Sequence, residues 1–395
     1  MRKFKDLESE LIPKLIELVH YAHSKDVEIT IDAEEQDRLT LSLNIIEKLA
    51  LDKVIKNWTG FGIALQAYGK RSINVIHWIN KILDKREKMH LRLVKGAYWD
   101  YEIKHAQVFG YEDYPVYSKK SLTDISFLLC AKEILKNEKI YAKFATHNAH
   151  TISSVHQLGQ GKDYEFQRLY GMGELLYQSA EKVLNLEKKP SVYAPIGSYK
   201  DLLPYLVRRL LENGANSSFI NRLLDPETDA NWLAENPAIR IEKEKIDIPL
   251  PKNIFTERKN SSGFDLSENS NLENLEKSIS AHKKNKINAE SIYVNRDEKE
   301  KVGQKVYSIA NNEEIGTAIF DDPTNVKSAL ENFASEKWSK YSVQERSQIL
   351  IKISNDIEKD PSELIFYLLN EAGKTIQNAI DEIREAIDFL RYYSR

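Results

Sequence analysis

The amino-acid sequence predicts an α/β fold made of about six βα units, followed by a polar connector and a smaller α/β segment. Residues 1–222 alternate short β-branched or aromatic runs with amphipathic stretches. Residues 223–300 are richer in Pro, Asn, Ser and charge, whereas residues 301–395 return to strand and helix patterns. Because strands that alternate with helices usually pair in parallel, we expect a parallel sheet in the first segment.

The predicted strands of the first segment are short and are each followed by a helical pattern. They cover residues 27–33, 60–67, 89–95, 140–146, 164–169 and 191–195. Ser198 and Asp201 form a capping box for the last helix, and Asn213-Gly214 ends it. The apolar face of that helix consists of Leu203, Leu206, Val207 and Leu210.

The final segment is predicted to open with two strands in residues 306–320 and to continue with three helices. Ser342 with Glu345, and Asp360 with Pro361, mark two helix starts. The last helix carries an apolar stripe, which we expect to pack against a partner surface. The stripe consists of Ile376, Ala379, Ile380, Ile383, Ile387 and Leu390.

Composition excludes several classes of protein. The 395 residues are 42% hydrophobic, and 57 basic against 60 acidic residues leave no basic excess for nucleic acid. No apolar run approaches the roughly 20 residues that span a bilayer, and the first eleven residues lack a signal-peptide core. The single cysteine, Cys130, lies in an apolar run and is predicted to be buried. These features predict a cytoplasmic protein.

Polar residues follow several predicted strands, at the ends where function collects in βα barrels. They are Asp32, Gln66, residues 92–99 and the pair His147-Asn148. Residues 95–97, Lys-Gly-Ala, could let backbone approach a phosphate, although a solvated turn would carry the same residues.

A stripe on the last barrel helix is open to two interpretations. Tyr205, Arg208, Arg209 and Glu212 have the spacing of one helix face. They would suit a solvent-exposed face, and the two arginines would also suit the carboxylate of a substrate.

Three histidines, His147, His150 and His156, do not predict a metal site. The sequence has no HExxH motif and no carboxylate at ligand spacing near them.

Six strings resemble, in order, the proline dehydrogenase half of the bacterial proline utilization A family. They are IDAEEQDRL, RLVKGAYWDYEIKHAQ, ATHNAHT, YEFQRLYGMGE, YAPIGSYKDLLPYLVRRLLENGAN and NSSGFDL. Downstream, NEAGKTIQNAIDEIREAIDFLRYYSR is similar to the N-terminal segment of that family's aldehyde dehydrogenase domain. The resemblance implies an incomplete (βα)8 TIM-like barrel in residues 1–222, a connector in residues 223–300, and an aldehyde dehydrogenase segment in residues 301–395.

The resemblance also implies a cofactor, FAD, and residues that bind it. Arg92 and the backbone of Val94 would lie near flavin N5, with Gln66, His147 and Asn148 along the isoalloxazine and ribityl groups. Lys95, Gly96 and Ala97 would lie at the pyrophosphate, and Trp99, Lys119 and Thr123 at the adenosine end. Ser118 replaces the family's usual threonine and keeps its hydroxyl. Glu212 would also contact the cofactor.

The implied reaction is the oxidation of L-proline to Δ1-pyrroline-5-carboxylate, with electrons passed to a membrane quinone. Arg208 and Arg209 would bind the carboxylate of proline. The pocket would be shaped by Asp32, Leu93, Tyr98, Leu169, Tyr193 and Tyr205. Contact with the inner membrane is expected to be peripheral at most.

On the same resemblance, parts of the family protein are expected to lie outside this sequence. They are the first two βα units, the DNA-binding module, and the catalytic cysteine and general-base glutamate of the aldehyde dehydrogenase, so aldehyde oxidation is not expected. Two hypotheses remain open: a proline dehydrogenase that acts by itself or with a separately encoded complementary polypeptide, or an inactive remnant or assembly partner without catalysis.

Overall fold

The computed structural model describes residues 7–214, 235–243, 248–291, 303–331 and 335–395, with the side chains of residues 211–214, 243 and 335–337 left out. By contact, the chain divides into two compact units. The first comprises residues 1–104 and 114–248, and the second comprises residues 105–113 and 249–395.

Six strands of the first unit form one parallel sheet, in which each strand pairs with the next along the chain. They are β1 (Ile29–Ile31), β2 (Phe61–Gln66), β3 (Met89–Val94), β4 (Ile140–Ala145), β5 (Tyr164–Leu169) and β6 (Ser191–Tyr193). The sheet forms a half-barrel, and each observed strand lies within its predicted range. The fold class predicted from the sequence is therefore confirmed.

Helices alternate with the strands, and several of them pack on one face of the sheet. They are α1 (Ile12–Ser24), α2 (Leu39–Ala50), α3 (Ser72–Leu83), α4 (Trp99–Phe109), α5 (Lys120–Ile134), α6 (Ala149–Leu158), α7 (Glu174–Leu184), α8 (Tyr199–Gly214) and α9 (Pro237–Lys243). Helix α4 belongs to the first unit only as far as Lys104. Within the described ranges, no helix is both long enough and apolar enough to cross a membrane.

The core of the first unit lies between the sheet and its helices. On β3, Leu91 and Leu93 are fully buried against helix residues such as Ile79. Cys130 of α5 belongs to the same core, which confirms the prediction that it is buried. Because side chains alternate along a strand, Arg92 projects from the opposite face, towards the interior of the half-barrel.

Helix α8 begins as predicted, because the hydroxyl of Ser198 accepts the backbone N–H of Asp201 at 3.4 Å. Its predicted apolar face is exposed in the described chain, with Leu210 71% exposed. The sheet has β1 and β6 as its end strands among these residues. The half-barrel therefore presents both strand edges and an apolar helix face that the described residues do not cover.

The second unit contains a three-stranded sheet and a group of helices. In the sheet, β7 (Ile287–Ala289) pairs in parallel with β9 (Glu314–Ala318), and β9 pairs antiparallel with β8 (Gln304–Tyr307). The helices are α10 (Asn269–Ala281), α11 (Pro323–Glu331), α12 (Ser335–Lys340), α13 (Val343–Lys359), α14 (Ser362–Asn370) and α15 (Ile376–Tyr393). The β8–β9 hairpin and the Ser342–Glu345 capping box are confirmed.

The apolar stripe of α15 packs against other helices of the second unit. Ile380 and Ile383 pack with Ile365 of α14 and Leu275 of α10. Helix α10 and strand β7 fall in residues 223–300, which composition predicted to be a connector. In α10, Leu275 is buried in this core and Ile279 packs against it, although the rest of the helix is mostly polar.

Candidate functional site

The strand ends and turns that follow β1 to β6 form one edge of the half-barrel, called here the carboxyl edge. Arg92, near the end of β3, forms an ion pair with Asp32, which follows β1. The guanidinium carbon of Arg92 also lies 5.5 Å from the ring centroid of Tyr193, at the end of β6. The structure thus brings together three predicted site residues from strands that are distant in the sequence.

Arg92 is the buried member of this group. Its side chain is 15% exposed, whereas that of Asp32 is 71% exposed. The Nε atom of Arg92 is buried and has no hydrogen-bond partner among the described residues. A buried donor of this kind is uncommon in native proteins, because most buried polar groups have a hydrogen-bond partner.

Tyr193 is held in its neutral form. Burial raises its pKa to about 12, with Tyr205 and Asp32 adding to the increase and Arg92 and Arg209 opposing it. At neutral pH its phenol is therefore a hydrogen-bond donor as well as an acceptor. The same interactions place Tyr205 and Arg209 of α8 close to Tyr193.

Tyr98 forms the second group at the carboxyl edge. Its hydroxyl donates a hydrogen bond to the carboxylate of Glu34. Burial, and then this carboxylate, raise the pKa of Tyr98 above its ordinary value. The guanidinium of Arg208 lies over the Tyr98 ring, with 5.5 Å between its carbon and the ring centroid.

The stripe on α8 contacts the site rather than open solvent alone. Arg209 lies over the ring of Tyr205 at 5.3 Å, and both residues are half-buried, as is Arg208. This placement puts both guanidinium groups at the carboxyl edge, and carboxylate binding by the stripe stays a prediction. The side chain of Glu212, its fourth member, lies outside the described residues.

Gln66 joins two parts of the carboxyl edge. Its Nε2 donates to the carbonyl of Glu34 at 2.7 Å, and its Oε1 accepts from the backbone N–H of Ala97 at 3.1 Å. Both ends of the buried amide are therefore engaged with backbone. Gln66 holds the β1 loop (residues 32–36) to the β3 turn (residues 95–97).

The β3 turn needs glycine at its centre. Gly96 has φ 135°, and a Cβ atom there would lie 2.5 Å from the ring of Tyr68. Lys95, beside it, forms an ion pair with the buried Asp124 of α5. The turn thus combines a cation, paired with a buried carboxylate, with backbone that packs closely against the ring of Tyr68.

His147 is kept neutral at the end of β4. Its Nε2 accepts the backbone N–H of Leu169 at 3.2 Å. Burial lowers the pKa of His147 to about 4, helped by the charges of Arg209 and Arg168. Its neighbour Asn148 caps α6 by accepting the backbone N–H of Thr151 at 2.9 Å.

The remaining predicted residues lie in three places. Trp99 donates from Nε1 to the carbonyl of Tyr117 at 2.8 Å, next to Ser118 and Lys119 at the start of α5, where Thr123 is buried. The carbonyl of Val94 accepts from the backbone N–H of Ala67 at 2.8 Å. Leu93 belongs to the core between sheet and helices, so the structure does not bring its side chain to the interior face with Arg92.

Two residues at this edge were not predicted to be functional. Glu34 is two positions after Asp32, so the alternation of an extended segment would have placed it on the same side. Glu102 is buried on α4 and accepts the backbone N–H of Gln36 at 2.7 Å. Nothing in the polar sequence around Glu102 indicates that it is buried.

Two family models match parts of this chain. Residues 3–222 match the family model described as proline dehydrogenase, and residues 293–395 match that of the aldehyde dehydrogenase family.

Individual relatives cover nearly the whole chain. It is 40% identical over 407 residues to the bifunctional protein PutA of Salmonella typhimurium and to that of Escherichia coli, which covers 98% of this chain. The match covers 31% of each of these relatives, so the chain spans about a third of their length. A crystal structure of Bradyrhizobium japonicum proline utilization A is similar with a TM-score of 0.86 and 36% identity, covering 99% of this chain and 38% of that one.

Proposed function

Because this chain belongs to the proline dehydrogenase family, we propose that its first unit binds FAD and oxidises L-proline to Δ1-pyrroline-5-carboxylate at the carboxyl edge. The observation that carries the proposal is the position of Arg92. It lies between Asp32 and Tyr193, and Tyr193 in turn neighbours the tyrosine and arginine residues of α8.

The residues at the carboxyl edge fit a flavin. The buried Nε of Arg92 lacks an acceptor among the described residues, and a flavin ring nitrogen is an acceptor. We assign Lys95, Gly96 and Ala97 to the pyrophosphate, where the ammonium of Lys95, which pairs with Asp124, would supply a cation. His147, whose Nε2 is already an acceptor, carries its proton on Nδ1 when neutral and can donate from there.

Other residues would complete cofactor binding. We assign Gln66 and Asn148 to the positioning of the turns along the flavin, and the backbone of Val94 to its centre. The adenosine end would be bound by Trp99, Ser118, Lys119 and Thr123, and Glu212 would contact the cofactor from α8. The clustering of Trp99 with the start of α5 supports this assignment.

Substrate recognition follows from the charge and shape of proline. Arg208 and Arg209 present guanidinium groups that match a carboxylate. Tyr98 and Tyr205, which lie under these guanidinium groups, hold them in place and offer apolar ring faces to the pyrrolidine. The substrate pocket would also include Leu169, Tyr193 and Asp32.

Catalysis would depend on orientation and on exclusion of water. When bound, FAD supplies the hydride acceptor for the oxidation. The ion pair with Asp32 fixes the guanidinium of Arg92, and Tyr193 keeps its phenolic proton. The protein itself therefore needs to provide neither a nucleophile nor a metal, and its contribution is the geometry of the pocket.

The exposed edges of the half-barrel support a further part of the proposal. Additional βα units, from a preceding segment or from a complementary polypeptide, could pack against β1, β6 and the apolar face of α8.

We assign the final electron transfer to a quinone. The protein would reach this acceptor from the cytoplasm by peripheral contact with the inner membrane.

The proposal is tested with the purified 395-residue chain. We expect a flavin absorption band at about 450 nm. We also expect the chain to reduce an artificial electron acceptor when proline is added. An active chain would reject the alternative of an inactive remnant. A chain that stays colourless after incubation with FAD, or a flavin-loaded chain that does not respond to proline, would contradict the proposal if a polypeptide that supplies the preceding βα units also fails to restore flavin binding and activity.

A further inference from the structure

Glu102 stands out among the described carboxylates that the proposed reaction does not use. It is on α4 and is 2% exposed. Placing a carboxylate in such surroundings is costly unless hydrogen bonds compensate. A deeply buried carboxylate close to a candidate site therefore requires a physical reason.

One oxygen of Glu102 contacts two different segments. Its Oε1 accepts the backbone N–H of Gln36 at 2.7 Å and lies 3.4 Å from the hydroxyl of Tyr68, which donates to it. Gln36 and Tyr68 are themselves buried. The carboxylate is thus a shared acceptor for the end of the β1 loop and for the segment that follows β2.

The contact with Gln36 fixes the end of the β1 loop. The carbonyl of the same residue accepts from Nη2 of Arg71 at 2.9 Å, so its backbone is held on both sides. The loop that ends there carries Asp32, which pairs with Arg92, and Glu34, which accepts from Tyr98. The orientation of both carboxylates therefore depends on where the loop ends.

The contact of Glu102 with the hydroxyl of Tyr68 supports the β3 turn, because Tyr68 packs against that turn. The ring of Tyr68 lies against Gly96, and its backbone N–H donates to the carbonyl of Lys95 at 2.8 Å. Any movement of Tyr68 would be transmitted directly to this turn. Glu102 is therefore linked, through one residue on each side, to the β1 loop and to the β3 turn.

From these contacts we propose that Glu102 is a positioning residue of the carboxyl edge, which sets the β1 loop through Gln36 and the β3 turn through Tyr68. The inference rests on the proposed function for its kinetic consequence, because Asp32 and Glu34 matter to proline only if proline binds there. Burial raises the pKa of Glu102 to about 7, with Asp37 and Glu35 adding to the increase. The proposed role is compatible with either protonation state, because Oε1 can accept in both.

The test uses the full chain and two independent measurements. In Glu102→Ala we expect hydrogen–deuterium exchange of peptides covering residues 32–38 to be about tenfold faster, because a buried amide loses its acceptor. We also expect the KM for proline to rise about tenfold, with a smaller change in kcat. Glu102→Gln retains an oxygen acceptor and should restore both values to within about threefold of the wild type. Asp100→Asn, an exposed change on the same helix, should alter neither.

A second variant keeps the test decisive if Glu102→Ala does not fold. Glu102→Asp retains the charge but withdraws the oxygens from Gln36 by one methylene, so the same faster exchange is expected. Unchanged exchange at residues 32–38 in the folded variants would overturn the proposal, as would faster exchange with an unchanged KM. If the wild-type chain does not oxidise proline, the proposed function fails, and the exchange data still decide whether Glu102 holds the loop.

Discussion

Lys143 of β4 lies directly beside Arg92 of β3 in the sheet register, and each of these cations is paired with a carboxylate from the segment around β1. Lys143 contacts Glu28 at 2.5 Å, and Arg92 pairs with Asp32. The Arg92–Asp32 pair spans β2, and the Lys143–Glu28 pair spans both β2 and β3. Beside them, the ring of His90 fills the space that a Cβ atom at Gly62 would need. Two parallel ion pairs thus connect β1 to the middle of the sheet.

Lys143→Met is expected to destabilise the first unit. The lysine side chain is 7% exposed and also lies 3.8 Å from the largely buried Glu165. Its loss therefore leaves that carboxylate without an ion pair among the described residues. Lys143 is buried but its partner Glu28 is exposed, so the loss of the pair should cost more than that of an exposed ion pair and less than that of a fully buried one. We expect the free energy of unfolding to decrease by about 2 kcal/mol. Urea unfolding measures it. Lys136→Met, which removes an exposed pair with Glu133, is the control and should cost under about 0.5 kcal/mol. Equal effects of the two changes would contradict this account.

Arg208→Ala and Arg209→Ala are each expected to raise the KM for proline by about 10- to 100-fold, with flavin retained. The loss corresponds to one charge-assisted contact with the substrate carboxylate. Steady-state kinetics and the flavin absorbance measure the two quantities. Lys200→Ala, an exposed change on the same helix, should leave both unchanged. An unchanged KM in both arginine variants would return the stripe to a solvent-facing role.

Gly96→Ala is expected to impair flavin binding and to lower stability by about 2–4 kcal/mol. The added Cβ would both clash with Tyr68 and force a left-handed φ of 135° on alanine. Gly161→Ala separates the two causes. Gly161 has φ 71° and open space around its Cβ position, so that variant should show only the smaller cost of φ. Thermal unfolding and flavin titration provide the readouts, and a cost at Gly96 no greater than at Gly161 would refute the clash.

His147 is expected to make stability depend on pH. Its folded-state pKa of about 4 lies below the ordinary value of 6.5, so its contribution is complete above pH 6.5 and is lost as pH falls towards 4. Between about pH 7.5 and about pH 5, the wild type should therefore lose more unfolding free energy than His147→Gln. Urea unfolding at both pH values measures the difference. His90 is present in both proteins and cancels, and equal losses would show that His147 does not titrate as stated.

The strands of the first unit could be predicted from the sequence, whereas α10 and β7 were not predicted, and five described helices follow β9 where three were expected. Strand alternation, the Ser198 and Ser342 caps and the burial of Cys130 are local signals, because each depends on neighbours within a few positions. The resemblance to the proline utilization A family predicts a barrel first, then a connector and an aldehyde dehydrogenase segment. The residue types and their spacing thus predict which strand ends carry the polar residues of the carboxyl edge.

Which of these residues lie in contact depends on how distant segments of the chain pack. Arg92 and Asp32 are 60 positions apart, and Glu102 and Gln36 are 66 apart, so their pairing depends on the register and curvature of the sheet. The same applies to α10, whose polar sequence gave no reason to expect that Leu275 would be buried in a core. Local patterns fix which face of an element is apolar, but a contact between distant segments exists only after the chain has folded and the strands have paired.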